Sequence, residues 1–330
     1  VTRLLITGGT GSFGNAMLKR MLLRSDLKEI RIFSRDEKKQ DDMKNLYDDP
    51  RITYVIGDVR NRVSVDAAMK DIDAVFHAAA MKQVPSCEEH PEEAFATNVL
   101  GSANVINSAV KAGVDNLVLL STDKAVMPVN TMGMTKALME KLGLAVAKKA
   151  DAYGTTICIT RYGNVMGSRG SVIPRFEQQI RECAPVTITN GKMTRFMMTL
   201  QEAVELVEYA LEYGSNGSTY VYNAPASEII DVAYAVAAII ADTAKIDIKV
   251  IGPRPGEKIH ETLITSEEGE RCVHCRDSRW VEIVSKHEWA LYPSFPNEGC
   301  MKFPEGLTSE NTKRLSDEET IQLIEKAGIL

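Results

Sequence analysis

The chain has 330 residues, 44% of them hydrophobic and 25% charged, with a formal net charge of −6. That length and apolar content bury a core large enough for one large domain or two interdependent ones, and we read two. The negative balance without a long basic run argues against nucleic acid and points to a small anionic ligand held in a local basic pocket. No apolar run approaches the roughly 18 residues of a membrane span, and the chain enters a strand by Arg3 without a secretory pattern, so no membrane and a cytoplasmic location are expected. The cysteines Cys87, Cys158, Cys183, Cys272, Cys275 and Cys300 are scattered, unlike a disulfide framework. Cys272-Val273-His274-Cys275 lacks a second ligand pair, so no metal is expected.

Arg3–Thr7 reads as a buried strand running through Gly8-Gly9-Thr10-Gly11-Ser12-Phe13-Gly14 into a helical pattern over Asn15–Leu23. Glycine permits a tight turn and close approach to a pyrophosphate, and the helix N-terminus supplies free N–H groups. Taken alone, Gly8, Gly11 and Gly14 also fit an ordinary strand-to-helix turn. Strand patterns follow at Glu29–Phe33, Ile52–Ile56, Ala74–His77 and Leu117–Ser121 with helical stretches between them, the sequence form of an α/β doubly wound parallel Rossmann sheet.

The end of the second strand carries Ser34-Arg35, whose hydroxyl and guanidinium suit a 2′-phosphate, with Lys38 and Lys39 behind. NADP is therefore expected over NAD, although Asp36 and Glu37 stand nearby and also suit the start of a helix over Asp36–Leu46. Asp58-Val59 and Ala78, Ala79 and Ala80 follow later strands at their carboxyl ends, where ligands bind in open α/β sheets. Asp58 suits either an adenine amino group or a turn.

Ser121-Thr122-Asp123-Lys124 ends the next strand, and a helix over Thr131–Glu140 places Met132 and Lys136 on one face. Further on, Arg161-Tyr162-Gly163-Asn164 ends a strand, and Gly167–Ser171 reads as a mobile, polar turn. Leu200–Tyr213 reads as an amphipathic helix and Thr219–Asn223 as a strand returning to the first sheet. Ser316 has capping-box spacing before a terminal helix over Thr320–Ala327. The expected division is a cofactor domain over 1–165 with a return segment near 200–224, and a smaller, discontinuous substrate region over 166–199 and 225–330.

TGGTGSFG at Thr7–Gly14, FSRDEKKQDDM at Phe33–Met43, HAAAMKQVP at His77–Pro85, STDKAVMPVNTMGMTKALMEK at Ser121–Lys141, RYGNVMGSRGSVIP at Arg161–Pro174 and RPGEKIHE at Arg254–Glu261 together resemble an extended short-chain dehydrogenase/reductase. Among these the chain most resembles the soluble UDP-N-acetylglucosamine 4,6-dehydratases that invert carbon 5, in the capsule and O-antigen branch, with Met132 where the family's catalytic tyrosine stands. The resemblance implies an internal redox cycle through NADP: carbon 4 is oxidised, the carbon 5 proton and carbon 6 hydroxyl leave, and reprotonation from the opposite face gives an L-configured 4-keto sugar. Some relatives also epimerise carbon 3. It further implies a homo-oligomer, with a hexamer as one form.

By position, the resemblance implies that Lys136 orients the nicotinamide ribose, Asp123 is the acid for the departing hydroxyl, Lys124 is the carbon 5 base and Thr122 binds near the carbon 4 oxygen. Lys82, Asn98 and Tyr162 are assigned to the cofactor, with Lys82 reaching the substrate as well. On the substrate side it assigns Asn164, Pro174, Thr187 and Thr189, Arg195 with Phe196 beside the uridine, and Arg254 and Glu257. A lysine at its unperturbed pKa of about 10.4 is a poor base, so the site is expected to lower Lys124 to roughly 7. Three other readings stand beside the inverting dehydratase: a 4,6-dehydratase that retains the carbon 5 configuration, a UDP-hexose 4-epimerase, which has no need of a carbon 5 base, and a catalytically inactive NADP-sensing regulator.

Overall fold

The computed structural model describes residues 2–168, 171–241, 245–291 and 301–330. Strands β1 (Arg3–Thr7), β2 (Glu29–Ser34), β3 (Ile52–Ile56), β4 (Ala74–His77), β5 (Asn116–Leu120) and β6 (Thr156–Arg161) lie parallel in the order β3-β2-β1-β4-β5-β6. After β7 (Asn164–Val165), β8 (Val186–Ile188) and β9 (Thr194–Met198), the chain returns through the helix Leu200–Tyr213 to β10 (Thr219–Tyr222), which pairs parallel with β6 as expected. Strands such as β1 and β5 are continuous apolar runs, because helices cover both faces of the sheet. Met17, Leu18 and Met21 of the helix Ser12–Leu22 pack with Leu206, Val207 and Ala210 on one face. Val105, Ile106 and Ala109 pack with Met139 and Ala147 on the other.

The remaining strands are β11 (Ala226–Glu228), β12 (Ile248–Val250), β13 (Thr262–Ile264), β14 (Cys272–His274), β15 (Trp280–Ile283) and β16 (Leu307–Thr308). A smaller lobe is built on β7, β9 and β11, on the β8–β12 pair and on the helices Val172–Arg181, Ile229–Ala241 and Asp317–Ala327. Phe176, Ile188, Met193, Val236 and Ile324 form its separate core. One part of the expected division is corrected here: β15 pairs antiparallel with β10 and β14 with β15, so two strands from the supposed substrate region extend the main sheet to nine strands among the described residues. Trp280, 1% exposed and edge-on to Tyr222, supplies the burial that draws β15 onto that edge.

Local rules place the element ends. Asp36 caps the helix Glu37–Leu46 by accepting from Lys39 N–H, so the acids behind Arg35 do serve the helix start. Ser316 and Glu319 form the capping box that opens the last helix. The first helix opens at Ser12, ahead of the expected Asn15, because Gly11 already occupies the extended N-cap position. Cys300 and the Arg169-Gly170 part of the polar turn lie outside the described residues. No helix among the described residues is long and apolar enough to cross a membrane.

Candidate active site

The carboxyl ends of β1, β4, β5 and β6 face the smaller lobe across a cleft of about 640 Å³. Its wall includes Ser12, Phe13, Ala78, Ala80, Lys82, Thr122, Lys124, Met132, Lys136, Tyr162, Asn164, Arg195, Arg254 and Glu257, bringing together much of what the sequence singled out.

The glycine turn fits a dinucleotide pyrophosphate. Gly8 has φ +68°, and a Cβ there would lie 2.8 Å from the Cα of Ala79, so only glycine lets β1 turn this close to the segment after β4. Gly11 provides no side-chain cap and the first turn of the helix carries no acid, which leaves its N–H groups open to an anion. Behind the turn, Ser102 Oγ donates to Asn98 O (2.6 Å) and so must accept from His77 Nε2 (2.8 Å). His77 Nδ1 is then free to accept from Thr7 Oγ1 (2.7 Å), which accepts from Ala79 N–H (3.3 Å). Burial lowers His77 to about 3, so it stays neutral and holds Ala78 and Ala79 against the turn.

Groups at the adenosine end divide differently from expectation. The Ser34 hydroxyl is buried and engaged by Thr10 Oγ1 (2.8 Å) and Asp36 N–H (3.2 Å). Arg35 is exposed, its guanidinium 3.8 Å from Asp58. Lys38 pairs with Asp42. Asp58 accepts from Arg60 at 2.6–3.0 Å; partial burial opposes its ionisation, but Arg60 more than offsets this and holds the carboxyl below its ordinary value. Its oxygens are thus shared with Arg60 rather than free for adenine. Val59 is buried against Gly101. Asn98, assigned by sequence to the cofactor, is fully buried: its side chain holds Met81 N–H (2.8 Å) and Met81 O (2.9 Å), positioning the loop that carries Lys82.

At the end of β5, the turn Asp123–Ala125 places Lys124 Nζ 3.0 Å from Asp123 Oδ1 and 3.4 Å from Asn164 Oδ1. Thr122 Oγ1 donates to the same Asp123 oxygen at 2.8 Å, while Asp123 Oδ2 is buried without a hydrogen-bond partner. Burial favours the neutral amine of Lys124, but Asp123 and Glu261 more than offset it and hold the ammonium above its ordinary pKa. The expected lowering of Lys124 is therefore overturned in this state of the protein. Two nearby carboxylates outweigh desolvation.

The helix Thr131–Ala150 starts beside this turn, with Gly133 N–H donating to Asn130 Oδ1 (2.8 Å) and Asn130 Nδ2 donating to Gly256 O (2.8 Å). Met132 packs with Cys87, Ala94 and Met81 while facing the cleft, and Lys136 lies one turn along. Lys136 Nζ donates to Leu120 O (2.5 Å), and burial, opposed by Glu140, lowers its pKa to about 8. Tyr162 stacks with Phe13 at 6.4 Å, and burial pushes its phenol well above the ordinary value, so it is no source of phenolate.

Sequence reasoning missed two groups. Glu261, 3% exposed, lies 3.6 Å from Lys124, 3.9 Å from Arg195 and 3.7 Å from Lys258. Arg161 is clamped between Glu140 (2.7 Å) and Glu268 (2.9 Å), and Glu140 also accepts from Ser121 Oγ (2.5 Å). Strand periodicity marked Arg161 as a strand end but carried no sign of its acidic partners. Arg195 remains on the wall, though its guanidinium donates to Thr194 O (2.7 Å), Ile259 O (3.0 Å) and Lys258 O (2.9 Å). Phe196 is corrected from a uridine contact to a core residue, 0% exposed and filling the space beside Gly163. Pro174 lies in the helix Val172–Arg181, Thr187 bonds Gln179 and Thr189 bonds Met193; none of the three forms the cleft wall. Among the described residues no group of three or more His, Cys, Asp or Glu side chains is placed to hold a metal.

Comparison with known proteins gives a family match over residues 4–282, to the model described as polysaccharide biosynthesis protein. A protein named UDP-glucose 4-epimerase from Rickettsia rickettsii (strain Sheila Smith) is 49% identical over 326 residues, covering 97% of this chain and 94% of its own length. Its namesake from Rickettsia bellii (strain OSU 85-389) is 50% identical over the same coverage. Among solved structures, that of Pen from Bacillus thuringiensis superposes with a TM-score of 0.90 at 36% identity, covering 100% of this chain and 98% of its own. DesIV, a dTDP-glucose 4,6-dehydratase from Streptomyces venezuelae solved with NAD and TYD bound, superposes with a TM-score of 0.68 at 21% identity over 78% of this chain and 87% of its own, a likeness of fold alone.

Proposed function

This chain belongs to the polysaccharide biosynthesis protein family, and from that premise we propose that it is a UDP-N-acetylglucosamine 4,6-dehydratase that inverts carbon 5. The observation that carries this reading is the Asp123–Lys124 pair, 3.0 Å apart beside the cleft, because an elimination needs a base at carbon 5 and an acid for the carbon 6 hydroxyl. A 4-epimerase uses neither.

The residues around the glycine turn fit a nicotinamide dinucleotide, with NADP favoured over NAD by exposed Arg35. When bound, that cofactor accepts and returns hydride. Lys136 holds its ribose. Thr122 already donates to Asp123 and accepts from Lys124 N–H (3.4 Å), and its remaining lone pair can take the carbon 4 hydroxyl proton as Thr122 passes its own to Asp123, which accounts for turnover without a tyrosine at Met132. That relay leaves Asp123 a carboxylic acid, and release of one proton from the Lys124 ammonium to solvent leaves an amine. Those are the forms that elimination requires. Lys124 then takes the carbon 5 proton and Asp123 protonates the departing hydroxyl. Asn164 supports Lys124 from across the cleft, and Lys82 and Arg254 face the diphosphate with Glu257 near the uridine ribose. The surrounding role is surface polysaccharide synthesis, in a homo-oligomer.

A UDP-glucose 4-epimerase is the second reading, favoured by the name of the relatives at 49–50% identity. Incubation with UDP-N-acetylglucosamine and NMR of the product separates the two. A new carbon 6 methyl group beside a carbon 4 ketone supports the dehydratase; a carbon 4 epimer with its carbon 6 hydroxyl intact defeats it.

A further inference from the structure

Glu261 takes no part in the elimination, yet its setting is unusual for a structural acid. It is 3% exposed and lines the cleft, and its Oε2 has no hydrogen-bond partner. Its backbone is fixed from both sides, N–H donating to Ser309 Oγ (2.9 Å) and C=O accepting from Ser309 N–H (2.8 Å). The side chain therefore leaves a pinned point at the start of β13.

Three cations surround the carboxylate at 3.6–3.9 Å, none at hydrogen-bond distance. Each is already directed elsewhere: Lys124 to Asp123 (3.0 Å), Lys258 to Val126 O (2.6 Å) and Arg195 to main-chain carbonyls. They neutralise Glu261 without satisfying it. A buried charged oxygen left without a donor costs free energy that a bound donor would restore. The same cations disfavour another cation there, and the Glu261 and Asp123 carboxylates disfavour an anion, so the chemistry that fits is a neutral N–H or O–H donor.

We propose that Glu261 is a sugar-binding residue, whose unpartnered carboxylate oxygen accepts a hydrogen bond from the hexose of the nucleotide sugar, through a ring hydroxyl or an acetamido N–H. The inference rests on the reading above that a UDP-sugar occupies the cleft, and it specifies which group reads the sugar rather than the nucleotide. It does not depend on which reaction follows.

Calorimetry on the NADP-loaded protein tests it with three probes: UDP, UDP-glucose and UDP-N-acetylglucosamine. Glu261→Gln should leave UDP affinity unchanged and weaken the UDP-sugars by roughly tenfold or more, the loss expected when a charge-assisted hydrogen bond becomes a neutral one. A loss on both sugars assigns the donor to a hydroxyl, and a loss confined to UDP-N-acetylglucosamine assigns it to the acetamido N–H. Should the glutamine protein fail to fold, Glu261→Asp keeps the charge but withdraws the oxygen, and the same selective loss is expected. Equal weakening of UDP and UDP-sugars, or wild-type affinity for all three, would overturn the proposal and leave Glu261 a charge partner only. Turnover is not read, so failure of the dehydratase reading leaves this result standing.

Discussion

Lys136 illustrates how a single buried charge trades stability for function. Burial lowers its pKa to about 8 from an ordinary 10.5, so below about pH 8 the folded protein carries a desolvated ammonium whose full cost is present. As pH rises from 8 toward 10.5, the folded state releases its proton before the unfolded state does, and stability recovers. Lys136→Met should therefore raise the unfolding free energy at pH 7 by up to about 3 kcal/mol, with the gain shrinking toward pH 10.5. Urea melts across that range check the sign; a destabilised methionine variant at pH 7 would contradict it. Lys124 is the opposite case, its ammonium supported by Asp123 and Glu261. Lys124→Ala should keep cofactor affinity yet lose both elimination and exchange of the carbon 5 proton with deuterated solvent, as read by NMR. Wild-type exchange in that variant would remove Lys124 from the base role.

Among the elements, the ends of β5 and β6 and the helix Thr131–Ala150 are tied by one buried group of charges. Arg161, 7% exposed at its side chain, bridges Glu140 and Glu268, and Glu140 reaches Ser121, next to Thr122. Arg161→Met would leave the buried Glu140 and the half-buried Glu268 without their cation, at a cost of about 3–5 kcal/mol near neutral pH. Burial opposes ionisation of Glu268, but Arg161 more than offsets it and keeps its pKa below the ordinary value. The wild-type benefit is present above that ordinary value and fades as pH falls below it, so the stability gap between the two proteins should narrow in acid. Urea denaturation at neutral and acid pH measures this; a constant gap would mean the loss is one of packing.

The same elements show what the sequence could carry. Apolar runs separated by helical patterns located β1 through β5 to within a residue, and the fixed offset between Met132 and Lys136 put both on one face. Those signals are local. Glu268 comes to Arg161, and Lys124 and Arg195 to Glu261, from segments distant in the chain, and no periodicity links them. The resemblance gives Asn98 to the cofactor, whereas its side chain holds Met81 and Thr135. The strand pair β14–β15 is short and antiparallel, and only tertiary burial of Trp280 places it on the main sheet.

At the scale of the whole molecule, the main sheet presents the glycine turn, the β5 end and the helix bearing Lys136 to one cleft, and Arg195, Arg254 and Glu261 close it from the other side. Cofactor choice is a property of the far end of that sheet, where Arg35 stands exposed beside Asp58. Arg35→Ala should weaken NADP by roughly 1.5–3 kcal/mol and leave NAD nearly unchanged; calorimetry showing equal affinity of the unmutated protein for both would contradict the NADP assignment. The defining step we propose is removal and replacement of the carbon 5 proton in this cleft. It is tested most directly by running the unmutated protein on UDP-N-acetylglucosamine in deuterated water and reading the sugar by NMR. The account predicts a 4-keto, 6-deoxy product carrying deuterium at an inverted carbon 5. A product that keeps its carbon 6 hydroxyl and its original carbon 5 proton would contradict it.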